Sequence, residues 1–196
     1  MRIIGGKYRS KKLIAPDNDR IRPTTDRMRE TIFNIIQHGN GPGIRGSRVL
    51  DLFSGSGAFG IEALSREASQ VTFVDKSSTS MKLIRKNTAL INNPVNTIYL
   101  IKNALNMTKA HGFFNLIFID PPYYKDLITP ALLNIHEQNL LCDEGLIITE
   151  YSAGEKIDFT SFFKEIKTNK IGEARFSILK ECISDDQKGA QYHWAL

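Results

Sequence analysis

At 196 residues, 41% hydrophobic and 24% charged, the chain can fill one core, which excludes a disordered or disulfide-stapled scaffold. Its net charge of +5 and pI near 9.2 are compatible with a polyanionic partner without establishing one. Cys142 and Cys182 lie far apart and outside any CxxC pattern, so no metal site or disulfide is expected. A reducing cytoplasm fits them. No apolar run suits a signal peptide or a bilayer span, so the expectation is a cytoplasmic monomer without a membrane partner.

Residues 1–46 differ in texture from the rest. Arg2, Lys7, Arg9, Lys11, Lys12, Arg20 and Arg22 crowd a segment with few acids. RIIGGKYRSKKLIAP alternates apolar and polar residues around Gly5-Gly6, which predicts a hairpin. RPTTDRMRETIFNII predicts a helix capped by Thr24 or Thr25, with Met28, Ile32, Ile35 and Ile36 on its apolar face. Arg27 and Arg29 are expected to pair with acids on that helix. HGNGPGIRG then reads as a linker, so the chain divides into an N-terminal basic extension (1–46) and a main domain (47–196).

In the main domain, strands and helices alternate. RVLDLF, VTFVD, NTIYLIK, FFNLIFID and GLIITEYS read as buried strands. AFGIEALSRE, SSTSMKLIRKNTALIN and the stretch from Leu127 to Asn139 read as the intervening helices. Such alternation predicts an α/β fold: a doubly wound, mostly parallel sheet covered on both faces. EIKTNKIGEARFSILKEC reads as two strands about a Gly-Glu turn, an antiparallel hairpin at one sheet edge. SDDQKGAQYHWAL carries no assignable pattern.

Two motifs carry chemistry. DLFSGSGAFG (51–60) joins a strand to a helix through glycines, which lets backbone amides approach a ligand. Gly55, Gly57 and Gly60 also satisfy the dinucleotide pattern GxGxxG, and Asp75 ends the next strand 20 residues after Gly55. The glycines therefore do not choose between a nicotinamide and a methyl-donor cofactor. Asp51 does, because its carboxylate would repel a pyrophosphate and suits the ammonium of S-adenosyl-L-methionine. Alternatives stay open: Asp51 as a turn acid on nearby amides, Asp75 as a helix cap, Asn103 as an ordinary loop residue rather than an adenine contact. Phe53 and Leu105 could pack on an adenosine or simply in the core.

The second motif, Asp120-Pro121-Pro122-Tyr123, follows the strand NLIFI. An exocyclic amine on a base is a weak nucleophile because its lone pair is delocalised into the ring. The Asp120 carboxylate and the Pro121 carbonyl can each accept one of its N–H groups. The prolines stiffen the turn and remove competing donors, and Tyr123 can stack on the base. The combination predicts methyl transfer to an amine by positioning, with no metal. Rival readings are transfer to adenine N6 or glutamine N5, a nicotinamide-dependent oxidoreductase, and a non-catalytic nucleic-acid-binding module.

These segments together resemble the bacterial RsmD family: RIIGGKYRSKKL, RPTTDRMRETIFNI, DLFSGSGAFGIEALSREA, VDKS and FIDPPY. The resemblance spans nearly the whole chain. It implies a Rossmann-like class I S-adenosylmethionine-dependent methyltransferase that modifies guanine N2 in small-subunit (16S) ribosomal RNA, at guanine 966. By the same resemblance Asp51, Phe53, Gly55, Gly57, Asp75, Asn103 and Ala104 take the cofactor positions. Asp120 to Tyr123 take the catalytic turn, and the partner is ribosomal RNA or an assembling 30S subunit. Asn103 departs from the aspartate common there in related methyltransferases. Arg2, Lys7, Arg9, Lys11, Lys12 and Arg22 would contact phosphates.

Overall fold

The computed structural model describes residues 1–16, 26–39 and 41–182. Thr24, Thr25, Arg20, Arg22 and the tail from 183 lie outside the described residues. The elements are α1 (Asp26–His38), β1 (Arg48–Leu52), α2 (Ala58–Ser65), β2 (Gln70–Asp75), α3 (Ser78–Ala89), β3 (Thr97–Ile101), β4 (Phe114–Ile119), α4 (Ile128–Glu137), β5 (Leu141–Ser152), β6 (Phe163–Ile171) and β7 (Ala174–Glu181). They form a seven-stranded sheet in the order β3-β2-β1-β4-β5-β7-β6. β1 to β5 run parallel, and β7 runs antiparallel between β5 and β6. The expected edge hairpin is therefore present, turning at Gly172-Glu173, with its second strand on the inside.

The apolar strand runs place one core on each face of the sheet. On one face, α1, α2 and α3 cover Val49, Val71, Phe73, Leu116, Phe118 and Ile148. On the other, α4 covers Leu50, Leu52, Ile117, Ile119 and Ile147. β5 begins at Leu141, four residues earlier than the apolar run suggests, and a register shift between Phe114 and Leu116 absorbs the extra length. Two short 3-10 turns, Ala104–Asn106 and Lys109–His111, link β3 to β4.

The described part of the extension shares the first core: Ile3, Leu13, Met28, Ile32, Phe33 and Ile36 are all buried in it. Phe33 of α1 stacks with Phe118 of β4 at 5.4 Å, and Phe59 of α2 with Phe118 at 4.9 Å. The N-terminal loop is pinned by buried polar groups. Glu62 accepts the amides of Ile4 (2.7 Å) and Gly5 (2.8 Å) and also holds Arg66 at 2.8 Å. Asn87 of α3 accepts the Ile14 amide at 2.8 Å and donates to the carbonyls of Ile14 and Ser56, each at 3.0 Å.

The loop does reverse, with an Arg2–Lys12 bridge, but its turn lies at Gly6–Ser10 rather than at Gly5-Gly6. The reason is steric. A Cβ on Gly6 would stand 1.9 Å from the Ser65 carbonyl oxygen, and one on Gly5 would stand 2.5 Å from the Arg66 guanidinium. These glycines permit close approach to α2.

Gly60 performs a similar service where α2 meets β2. A Cβ there would lie 2.3 Å from Phe73 Cε1 and 2.8 Å from Val71 Cγ1. Gly60→Ala should therefore destabilise the protein by about 1–3 kcal/mol through overpacking. A drop in the urea midpoint checks this.

Candidate active site

The site lies where the strand order reverses, between β1 and β4. Leu52 pairs with Ile119, so the glycine loop and the Asp120 turn leave adjacent strands side by side. This is the crevice in which open α/β sheets take ligands. Acids stand at the carboxyl ends of four strands: Asp51, Asp75, Asp120 and Glu150.

The loop is tied down by its neighbours. Ser54 Oγ donates to the carbonyls of Asp51 (2.5 Å) and Val74 (3.1 Å) and accepts the Val74 amide (2.9 Å). Asp75 accepts the Gly55 amide at 2.9 Å and the Ser77 amide at 2.8 Å. Ser77, not Asp75, caps α3, accepting from the Ser80 amide. Asp75 thus shapes the loop, and it remains only partly buried.

Asp51 is 1% exposed and accepts the Gly60 amide at 3.0 Å. Burial raises its pKa to about 8; the Gly60 hydrogen bond lowers it and the nearby Asp75 charge raises it further. A buried carboxylate with that preference gains from a cationic partner. Gly55, at φ 53°, faces open space where a Cβ would stand, with Phe53 O at 3.8 Å as its nearest neighbour. An acid wanting a cation, a loop with an open backbone face and a second acid at the next strand end together fit a nucleoside carrying a positive charge.

Phe53 adopts φ 57° at the strand end. Asn103 is exposed, and its side-chain oxygen accepts the Leu105 amide at 3.1 Å, while Ala104 is buried behind it. An Asp or an Asn can make that cap equally well, which accounts physically for either residue at this position.

At the second motif Pro121 is buried, Asp120 and Tyr123 are half-buried and Pro122 is exposed. Tyr123 donates its hydroxyl to Glu150 Oε1 at 3.1 Å. Glu155 accepts the amides of Tyr124 (2.7 Å) and Ser152 (2.8 Å), which fixes the far side of the turn. Pro121, Pro122, Tyr123, Glu150, Glu155 and Ile157 line a shallow concavity.

Glu150 was not singled out in the sequence, yet it is only 4% exposed and holds the turn's aromatic ring. Its signal was the same as that of Asp51: a lone acid closing an apolar strand run. Arg29 of α1 is fully buried and donates to Asp26 Oδ1 and to the Arg2 carbonyl, each at 2.7 Å. Burial lowers its pKa, opposed by Asp26, Glu62 and Glu150.

The basic residues of the N-terminal loop are unequal. Arg2 pairs with Asp26 at 3.2 Å, and Lys11 donates to the Leu90 carbonyl. Lys7, Arg9 and Lys12 are exposed and make no salt bridge among the described residues. Arg22 lies outside the described residues.

Sheet order, loop and turn define the architecture of the class I S-adenosylmethionine-dependent methyltransferases. The family model described as "Conserved hypothetical protein 95" matches residues 1–180. Ribosomal RNA small subunit methyltransferase D of Escherichia coli K12 is 38% identical over 151 residues, covering 76% of this chain and 74% of that protein. Its namesake in Haemophilus influenzae is 34% identical over 154 residues, covering 76% and 78%. The solved structure of yhhF from Escherichia coli superposes with a TM-score of 0.80 at 32% identity, covering 92% of this chain and 97% of that one. The chain belongs to the RsmD family.

The Asp51 environment sets a pH dependence. The folded protein keeps the proton up to about pH 8, whereas the unfolded chain gives it up near 3.8. Asp51 therefore makes the ligand-free protein less stable as pH rises between those values. Asp51→Asn should raise Tm by several degrees at about pH 8 and change it little at about pH 4. Scanning calorimetry at the two pH values checks this.

Proposed function

We propose that this chain transfers a methyl group from S-adenosylmethionine to the exocyclic N2 of a guanine in 16S ribosomal RNA, at guanine 966. The observation that carries the reading is the juxtaposition of the Asp51 loop with the Asp120 turn across the β1–β4 seam. Membership of the RsmD family and the names of its members support RNA of the small ribosomal subunit as the substrate. Among the described residues no helix is long and apolar enough to cross a membrane.

When bound, S-adenosylmethionine supplies a methyl carbon activated by its sulfonium. Asp51 would balance the ammonium through the loop, Gly55 would admit the backbone close to the ligand while Gly57, at φ 78° against Ile84 and Phe73, would hold the loop's turn beneath it, and Asp75 would take the ribose hydroxyls. Asn103 and Ala104 would border the adenine, and Phe53 would pack beside the adenosine. The residues of the turn act on the acceptor. Asp120 and the Pro121 carbonyl accept the two N–H groups of the amine and turn its lone pair out of conjugation. Tyr123 stacks on the base, its ring held in plane by the Glu150 bond. Pro122 keeps the backbone in place. The acceptor base must leave its stack to reach this depth. Holding the two reactants in line supplies the larger part of the acceleration.

The extension (1–46) supplies phosphate contacts to the methyltransferase domain (47–196). Lys7, Arg9 and Lys12 are the open cations, and Arg2, Lys11 and Arg22 complete the set.

Asp120→Ala should abolish transfer, by at least about 100-fold in kcat, while cofactor affinity measured by calorimetry stays within about threefold. The direct test is incubation of unmodified small subunits with labelled methyl donor, followed by mapping of the modified nucleotide. Label at a single guanine N2 is the expected outcome. Label in N6-methyladenine or only in protein would overturn the assignment.

Tyr123→Phe keeps the stacking ring and deletes its bond to Glu150. It should reduce kcat by roughly tenfold with cofactor affinity unchanged, as expected for loss of positioning. Single-turnover kinetics checks this, and an unchanged rate would remove that bond from the mechanism.

A further inference from the structure

Charge divides along the sheet. The described residues up to His111, which build the extension and the β1–β3 half, carry 16 Lys and Arg against 6 Asp and Glu. The described residues 112–182, which build the β4–β7 half, carry 7 against 11. The division falls at the β1–β4 seam, where the site lies.

Apart from exposed Glu30, the described acids of the basic half do little to offset it. Asp51 and Glu62 are buried, both oxygens of Asp75 accept backbone amides, Asp26 holds Arg2 and Arg29, and Glu67 holds Arg45.

Within that half, α3 stands out. Its sequence, STSMKLIRKNTA, contains three cations and no acid. Lys82, Arg85 and Lys86 are exposed, and spacings of three and four place them on one side of the helix. A helix face that is merely solvated usually mixes both signs. Arg85 is engaged, its guanidinium 4.1 Å from the centre of the Tyr99 ring. Lys82 and Lys86 have no salt-bridge partner among the described residues.

The C-terminal end of α3 meets the basic N-terminal loop. Asn87, next to Lys86, holds the Ile14 backbone, and Lys11 reaches the Leu90 carbonyl beyond the end of α3. Asn87 lies on the buried side of α3 and also holds the Ser56 carbonyl, so the helix that presents these lysines is anchored both to the N-terminal loop and to the glycine loop.

We propose that the RNA backbone runs from the N-terminal loop onto α3, with Lys82 and Lys86 contacting phosphates, and stays off the β4–β7 half. The proposal rests on the reading that the substrate is ribosomal RNA. Phosphate contacts of this kind fix orientation without reading sequence. They bring the strand to the seam from the β3 side, while the acidic half repels phosphates. The lysines of β6 (Lys164, Lys167 and Lys170) form the comparison set: they are exposed too, but stand on the far edge among Glu165 and other polar groups.

The test is binding of the full chain to unmodified 16S ribosomal RNA over a potassium chloride series. Lys82→Glu with Lys86→Glu should weaken binding at least about tenfold at low salt and flatten the slope of log K against log salt by about two. Tm and cofactor affinity should not change. Lys82→Gln with Lys86→Gln should give a smaller shift in the same direction. Lys164→Glu with Lys167→Glu should leave the slope unaltered. An unchanged slope in the α3 variants overturns the footprint, and so does an equal loss in the β6 variants, which would report net charge alone. A wild-type chain that transfers no methyl to RNA would instead overturn the functional reading beneath it.

Discussion

The parallel pairing of β1 with β4 is the constraint on which the rest of this structure depends. Neither motif is a site without the other. Asp51 to Gly57 and Asp120 to Tyr123 are separated by more than 60 positions in the chain, and only the Leu52–Ile119 register makes them neighbours. The topology reverses at that pair, so the helices that follow β1 and β4 pack on opposite faces of the sheet. Around the pair, short polar bonds convert proximity into a fixed shape. Ser54 ties the loop to β2, Asp75 holds its glycine, and Glu150 and Glu155 hold the opposite turn.

The central strands and the two motifs were legible because their signals are local. RVLDLF, VTFVD and NLIFI are short, mostly apolar runs with an acid in or just after their last residues, and a run of that kind has few homes outside a buried parallel sheet. The acid at the strand end and the proline turn announce their chemistry by residue type alone. What stayed hidden depends on partners distant in sequence. Glu150 looks like any strand-end acid until Tyr123 is placed beside it. Gly5 and Gly6 look like a simple turn until α2 is seen against them; Gly6 opens the reversal, and both glycines also permit the close contact with α2. Asn87 carries no mark in the sequence, and it is a fully buried bracket for two backbone segments.

Burial also explains why the site acids cannot be read as equivalents. Asp51 lies inside the protein, Asp75 at its margin, Asp120 in the turn itself. The first is inclined to hold a proton, and the second bonds two amides. Electrostatic character thus follows depth, and the sequence records depth only indirectly, through the apolar residues on either side.

The polar brackets that hold the N-terminal loop carry a consequence for biogenesis. Ile4, Gly5 and Ile14 bond to Glu62 and Asn87, 57 to 73 positions further along. A ribosome delivers the early residues well before those acceptors exist. The basic loop therefore emerges unplaced and cannot lock down until α3 has been synthesised. The loop is made before the side chains that bracket it and is seated only once they are in place.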